Sequence, residues 1–249
     1  METVLRSSSA SVRGAGYSQV VEPLFGSEEL LVAAVPVMGE ENLRLTLTVE
    51  RLSSRARAAL AEHQGLADDM LRVEELEAAL PSMAQWRVTA GRSVDWGALE
   101  ADLGTALPSD FRSLAEAYPV LVIDDFLMLS VPTPGAEALW ASGSREDEIL
   151  QDLYEMGDTE DYVPYPEVGG LISWAASYSG DSFYWRTSPA DPDAWPVVVR
   201  GANGDWSEFP VGAVEFLTGV YRRTIHVPGM PGDFPSDSPE VLGLSDRIG

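Results

Sequence analysis

The sequence predicts an α+β fold in which a central, mostly antiparallel sheet is flanked by helices. Three observations predict it. Residues 171–209 are rich in β-branched and aromatic residues and contain the turn dipeptides Gly180-Asp181 and Asn203-Gly204, which suit antiparallel hairpins. Apolar residues at helical spacing precede this stretch, within residues 108–118. Residues 211–221 follow it with a second helical pattern.

Composition narrows the function classes. An apolar content of 45% with seven tryptophans indicates a folded protein. The formal net charge is −24, and all sixteen basic residues are arginine, as is typical of a GC-rich bacterial genome. The negative electrostatic field of such a chain argues against binding to nucleic acid or to an anionic membrane and favours basic partners. The absence of cysteine excludes disulfides, thiolate metal sites and a cysteine nucleophile.

Targeting signals are not evident. The first residues lack the apolar core of a signal peptide, and no apolar run approaches the roughly 20 residues that a membrane helix needs. We therefore expect a cytoplasmic protein without membrane association.

Residues 1–91 are predicted to form a separate strand and helix region of unknown role. The first fifteen residues look loose, and strands are expected over residues 30–35 and 43–49, the second alternating apolar and polar, with a hairpin turn at residues 39–42. Helices are expected over residues 54–63 and 68–80, broken at Gly65 and stopped by Pro81.

The central part, residues 92–226, is predicted to be a second domain that follows a linker at residues 89–94. Ser93 is the expected N-cap of a helix that Gly104 ends, and Pro108 begins another whose buried face carries Phe111, Leu114, Ala115 and Tyr118. Short strands near residues 121–123 and 126–129, and an acidic helix over 137–156, lead to the antiparallel stretch. The Pro/Gly-rich tail, residues 227–249, is expected to be partly ordered.

Catalytic or metal-binding motifs are not found, so neither catalytic residues nor cofactors are predicted. His63 and His226 have no neighbouring ligand or acid, and no Gly-x-Ser-x-Gly, Walker or Gly-x-Gly-x-x-Gly motif occurs. Paired carboxylates such as Asp124-Asp125 and Asp191 with Asp193 are expected by chance among forty acids. Asp181, in a turn, is expected to accept hydrogen bonds from neighbouring backbone N–H groups.

Five large aromatic residues leave two interpretations open. They could form a ligand-stacking platform, or they could pack the core across the strands, which is the commoner role of such residues. The five are Trp174, Tyr184, Trp185, Trp195 and Trp206.

Residues 146–161 contain eight acids and no base, with Ile149, Leu150 and Leu153 able to anchor one face. These acids form either a solvated surface or a partner-binding surface that imitates nucleic acid or steers a basic protein. The predicted partner-binding residues are Glu146, Asp147, Glu148, Asp152, Glu155, Asp158, Glu160 and Asp161.

One ordered set of segments resembles the SUKH superfamily, the Smi/Knr-like bacterial immunity proteins. The most specific segment carries Trp96, Leu99-Glu100, Leu103-Gly104, Leu107-Pro108 and Asp110-Phe111; residues 125–127, 169–174, 180–185, 195–198 and 215–217 follow. The resemblance covers roughly residues 92–225. Ala175 departs from the glycine that often follows the tryptophan, and the first ninety residues are not covered.

The resemblance implies an α+β domain that neutralises a polymorphic toxin, often a nuclease, by binding it directly; it implies no catalytic residues. We therefore expect a non-enzymatic immunity protein with a basic toxin domain as partner. A regulatory or scaffold protein of the same superfamily is an alternative, and a carboxylate-based hydrolase is a further one.

Overall fold

The computed structural model describes residues 3–5, 10–14, 17–21, 32–37, 44–49, 54–188 and 190–244. The chain forms two compact units, residues 1–65 and 66–249. The second unit therefore begins before the boundary at residues 91 and 92 that the sequence suggests. It includes residues 66–91, which the sequence predicts to be part of the N-terminal region.

The described residues of the first unit include five short strands. Strands β1 (Thr3–Leu5), β4 (Val32–Val37) and β5 (Arg44–Val49) form one antiparallel sheet in the order β1-β4-β5, and β2 (Ala10–Gly14) pairs with β3 (Tyr17–Val21). Strands β4 and β5 are the two that the sequence predicts. Strands β1 and β2 lie in the stretch predicted to be loose, and the predicted turn at residues 39–42 lies outside the described residues.

Helix α1 (Ser54–Ala79) is continuous, so the predicted break at Gly65 is wrong. A single glycine inside a helix costs only about 1 kcal/mol relative to alanine, which does not suffice to end it. Pro81 does end it: a 3₁₀ helix, Pro81–Trp86, follows. Val73, Leu76 and Leu80 are buried in the larger of the two hydrophobic cores of the second unit.

Helices α2 (Trp96–Leu103) and α3 (Ser109–Ala117) follow. Asp95, rather than the predicted Ser93, caps α2 by accepting a hydrogen bond from the Ala98 N–H at 3.0 Å. Gly104 ends α2 in the left-handed conformation, φ 85°, as predicted. The residues predicted for the inner face of α3 are all buried: Phe111, Leu114, Ala115 and Tyr118.

The predicted linker is fastened to α3 by Arg92. Its guanidinium donates hydrogen bonds of 2.7 Å to the carbonyls of Ala115, Tyr118 and Pro132. Carbonyls at the end of a helix have no partner within the helix, and here a side chain supplies one.

The predicted α+β fold is confirmed by a seven-stranded antiparallel sheet in the second unit. Its order is β11-β10-β9-β8-β7-β6-β12. The strands are β6 (Leu121–Ile123), β7 (Leu127–Leu129), β8 (Leu171–Ser177), β9 (Ser182–Arg186), β10 (Val197–Arg200), β11 (Trp206–Phe209) and β12 (Val241–Gly243).

The sheet buries side chains on both faces. The larger core contains Trp174, Trp185 and Phe111, together with residues of α6 (Ala213–Tyr221). The smaller core on the other face contains Leu150, Leu171, Tyr184 and Val198. A β-bulge between Ser173 and Ala175 inserts Trp174 as an extra residue, so that Trp174 and Ala175 both enter the larger core.

The predicted acidic helix over residues 137–156 is two helices, α4 (Glu137–Ala141) and α5 (Arg145–Met156). Gly143, with φ 94°, and Ser144, which caps α5, separate them. The short polar segment between them lets α5 begin with its own cap.

The tail supplies the last strand of the sheet. Strand β12 pairs with β6 along Val241–Gly243. Asp124, in the turn between β6 and β7, accepts hydrogen bonds from the backbone N–H and the hydroxyl of Ser236, at 3.0 and 2.7 Å. The described part of the tail is thus held by backbone pairing and by a carboxylate.

A buried carboxylate connects α3 to α6. Asp110, 3% exposed, accepts hydrogen bonds from the N–H groups of Phe111 and Val214. A Cβ at Gly212 would lie 2.7 Å from its Oδ2, so this position needs glycine. Burial raises the pKa of Asp110 to about 6, although the backbone hydrogen bonds act in the opposite direction.

We expect Asp110→Asn to change how stability depends on pH. Because the pKa in the folded state lies above the ordinary value of 3.8, the folded state holds the proton more tightly, and stability falls as pH rises from about 4 to about 6. Over this range the free energy of unfolding of the wild type should fall by up to about 3 kcal/mol. That of the variant should not show this fall. Urea unfolding between pH 4 and 7 measures this, with Asp233→Asn at an exposed site as control. If the free energy of unfolding changed with pH in the same way for the wild type and Asp110→Asn, this expectation would be wrong.

Trp96 packs the start of α2 against the core. It is 8% exposed, its Nε1 donates to Glu116 at 2.7 Å, and the Arg112 guanidinium lies 5.1 Å from its ring centroid. We expect Trp96→Ala to lower the free energy of unfolding by about 3–5 kcal/mol, whereas Leu139→Ala, at a side chain 75% exposed, should change it by less than about 0.5 kcal/mol. Chemical denaturation tests both, and equal effects would show that Trp96 is not a core residue.

Candidate functional site

The start of α5 is held by a reciprocal capping box. The Ser144 hydroxyl accepts hydrogen bonds from the N–H groups of Glu146 and Asp147 at 3.0 and 3.3 Å. The Asp147 Oδ2 in turn accepts one from the Ser144 N–H at 2.7 Å. Both ends of this pair therefore satisfy donors that a helix start leaves free.

The same carboxylate joins α5 to the centre of the sheet. Asp147 accepts hydrogen bonds from the N–H of Ser173 at 3.0 Å and from its hydroxyl at 2.7 Å. The Ser144 and Ser173 hydroxyls lie 2.6 Å apart, so Ser144 donates to Ser173 and Ser173 donates to Asp147. Strand β7 pairs only with residues 175–177 of β8, which leaves Ser173 beyond the end of β7 and open to α5.

A pocket of about 400 Å³ lies next to this cluster. Its walls come from the end of α2, residues 130–133, α4 with the start of α5, the segment around Tyr165, and β8. Trp140 and Tyr165 are its aromatic walls, Asp147 is its one charged residue, and Leu139 and Gln151 also line it. The volume is within the range of roughly 300–1,000 Å³ that ligand pockets occupy.

The hydroxyl and carboxylate groups of the pocket hold structure and supply no evident acid–base pair. The lining contains no histidine, lysine, arginine or cysteine. Activating a serine nucleophile needs a nearby base, and the Asp147 oxygens already accept three hydrogen bonds. The geometry therefore favours binding in this pocket.

The eight acids predicted to bind a partner are divided by the structure. Asp147 faces inward and is half-buried, and Glu146 is half-buried beside it, its backbone carbonyl accepting a hydrogen bond from the Tyr184 hydroxyl. The other six are exposed and are called the acidic surface: Glu148, Asp152, Glu155, Asp158, Glu160 and Asp161.

The acidic surface is displayed by an anchored helix. Glu148, Asp152 and Glu155 are spaced four and three residues apart on α5, so they share one face. Leu150 is fully buried against the sheet, and Ile149 and Leu153, the other two predicted anchors, are half-buried. Tyr154 and Met156, 44% and 65% exposed, add apolar area next to the acids.

The five large aromatic residues do not form a platform. Trp174, Trp185 and Trp195 belong to the larger core, whereas Tyr184 belongs to the smaller core on the opposite face. Trp206 is half-buried against that smaller core and stacks on Tyr162, with ring centroids 4.7 Å apart. Core packing is thus their observed role, because neighbouring strand positions point to opposite faces.

The paired and turn carboxylates noted in the sequence accept hydrogen bonds within the fold. Asp181 was expected to accept hydrogen bonds from neighbouring backbone N–H groups. It is buried and accepts one from the Ser177 hydroxyl and one, at 2.8 Å, from the Ala202 N–H in the next hairpin. Asp191 accepts a hydrogen bond from the Asp193 N–H, and Asp193 accepts one from the Ser109 N–H. His226 is exposed, and the side chain of His63 lies outside the described residues.

Within the part of the chain that the structure describes, no group of three or more His, Cys, Asp or Glu side chains could hold a metal ion. None of the helices in that part is both long enough and apolar enough to cross a bilayer.

Comparison of the chain with protein-family models, with curated proteins and with solved structures found no match. The resemblance to the SUKH superfamily therefore stays a prediction based on the residues quoted for it.

Neutralising or removing Asp147 should affect stability more than changing an acid of the acidic surface. Asp147→Ala leaves the Ser144 N–H, the Ser173 N–H and the Ser173 hydroxyl without their acceptor. We expect a loss of about 2–4 kcal/mol in the free energy of unfolding, against less than about 0.5 kcal/mol for Asp152→Ala on the same helix. Thermal and urea unfolding of both variants measure the difference. A similar loss for the two would show that Asp147 does not hold α5 to the sheet.

Proposed function

We propose that this chain is a non-enzymatic protein-binding protein that takes a basic protein domain as its partner. The acidic surface is the observation on which the proposal depends. Its six carboxylates are exposed on an anchored helix and the turn that follows, and residues 146–185 contain no basic residue. A field of one sign raises the rate of encounter with a partner of the opposite sign.

The surroundings of the acidic surface also suit a protein partner. Tyr154 and Met156 are exposed between the acids, and aromatic residues and methionine are enriched in protein interfaces. Helix α5 is held by the Leu150 contact and by the Asp147 hydrogen bonds. A surface on a held helix loses little conformational entropy when a partner binds.

The partner class follows from the resemblance to the SUKH superfamily. We propose that the protein acts in the cytoplasm as an immunity protein and neutralises a toxin, of which a nuclease is one kind, by occupying a basic surface. A regulatory or scaffold role with another basic partner is the second candidate, and the acidic surface supports both equally. A hydrolase finds less support, because the Asp124 and Asp191–Asp193 carboxylates accept structural hydrogen bonds.

The test compares two variants of equal charge. The first neutralises Glu148, Asp152, Glu155 and Asp158 as amides, and the second neutralises the exposed acids Glu74, Asp102, Glu167 and Asp233. Each changes the formal net charge from −24 to −20. A partner captured by the wild type should associate about tenfold more slowly with the first variant at low salt, with a nearly unchanged dissociation rate. The second variant should stay close to the wild type.

Stopped-flow association at several ionic strengths provides the measurement, because exposed charges are screened beyond about 8 Å at physiological salt. Equal association rates for the two variants would reduce the acidic surface to a solubilising one. A co-expression assay then separates the two candidates. An immunity protein restores growth to cells that produce its partner, and a scaffold protein does not.

A further inference from the structure

The pocket beside α5 carries a negative charge with no basic residue near it in the lining. Asp147 is the one charged residue among the lining side chains. Its three hydrogen-bond donors are neutral, and it takes part in none of the ion pairs found among the described residues. A carboxylate in a concave site with protein walls gives that site a negative potential that favours a cation.

The remaining walls suit a cation with an apolar stem. Trp140 and Tyr165 supply aromatic surface, and Val131 and Leu139 supply aliphatic surface. A guanidinium stacks on aromatic faces and donates several hydrogen bonds in one plane, whereas an ammonium is more strongly hydrated. The Ser173 hydroxyl and the Asp147 carboxylate line the pocket and keep acceptor capacity, whereas the Ser144 hydroxyl already accepts two hydrogen bonds.

The pocket is continuous with the acidic surface through α5. The helix presents Asp147 and Gln151 to the pocket and Glu148, Asp152 and Glu155 to solvent. Glu148 and Asp152 directly follow the lining residues Asp147 and Gln151 on α5, so a basic chain bound at this part of the acidic surface lies close to the pocket.

We propose that this pocket receives an arginine side chain of the basic protein partner. The inference rests on the proposed function, because it assigns one anchoring residue to that partner. The arginine stem lies between the aromatic and aliphatic walls, and its guanidinium faces Asp147. The acidic surface governs the encounter, and the pocket slows dissociation.

The probe for the test is N-acetyl-arginine-N-methylamide, with the neutral citrulline analogue as a control of matched shape. In ¹H–¹⁵N NMR titrations of the full chain, the arginine probe should shift the amide signals of Gly143, Ser144 and Ser173 and the Trp140 indole signal in a saturable way. A dissociation constant of about 1–10 mM is expected for so small a ligand. The citrulline analogue should bind about tenfold more weakly or not at all.

Three substitutions at one exposed position then test the charge dependence. Leu139 lines the mouth of the pocket and is 75% exposed, so changes there should leave the fold intact. Relative to Leu139→Gln, we expect Leu139→Glu to bind the arginine probe about three- to tenfold more tightly and Leu139→Arg to bind it weaker by a similar factor. Thermal unfolding confirms that the three variants are equally folded.

Three results would overturn the inference: shifts that avoid the pocket up to about 50 mM probe, equal binding of arginine and citrulline, or the same affinity in all three Leu139 variants. Its failure is distinguishable from failure of the proposed function. If the acidic-surface variant still slows association of the partner while the arginine probe does not bind, the pocket assignment falls and the proposed function stands. If the arginine probe binds but the partner associates independently of the acidic surface, the proposed function falls and the pocket stands as an arginine-binding site.

Discussion

Burial on both faces of the central sheet is the constraint on which the second unit depends. Strands β8 and β9 each bury successive residues, and successive side chains of a strand point to opposite faces, so these strands need cover above and below. The bulge at Trp174 lets β8 give two successive residues to the larger core while Ser173 stays on the face of α5. On that face the N–H and the hydroxyl of Ser173 donate hydrogen bonds to Asp147, which support α5 and one side of the pocket together.

The amphipathic elements were predictable because their periodicity reports burial directly. The inner face of α3 and the antiparallel strands from β8 to β11 appear where the sequence places them. The breaks were less predictable. Gly65 does not interrupt α1, whereas Gly143 and Ser144 divide the predicted acidic helix. The difference lies in the neighbours, since Ser144 and Asp147 form a capping box and Gly65 has no such partner nearby in sequence.

The candidate site was predictable in composition but not in geometry. Eight acids in sixteen residues are evident from the sequence, yet their composition and spacing alone do not show that Asp147 turns towards β8 while Asp152 faces water. The Ser-x-x-Asp spacing was the available signal, because it predicts a carboxylate engaged by backbone at a helix start. The pocket gave no sequence signal, since its walls come from five separate segments.

The last strand, β12, has a consequence for how the chain matures during synthesis. It pairs with β6, whose residues leave the ribosome more than a hundred positions earlier. Until residues 241–243 emerge, β6 presents an uncovered row of peptide groups, which is the kind of edge that recruits strands from other chains. A nascent chain stalled before this point would therefore be exposed to misassembly, because β6 gains its partner strand only after β12 has been synthesised.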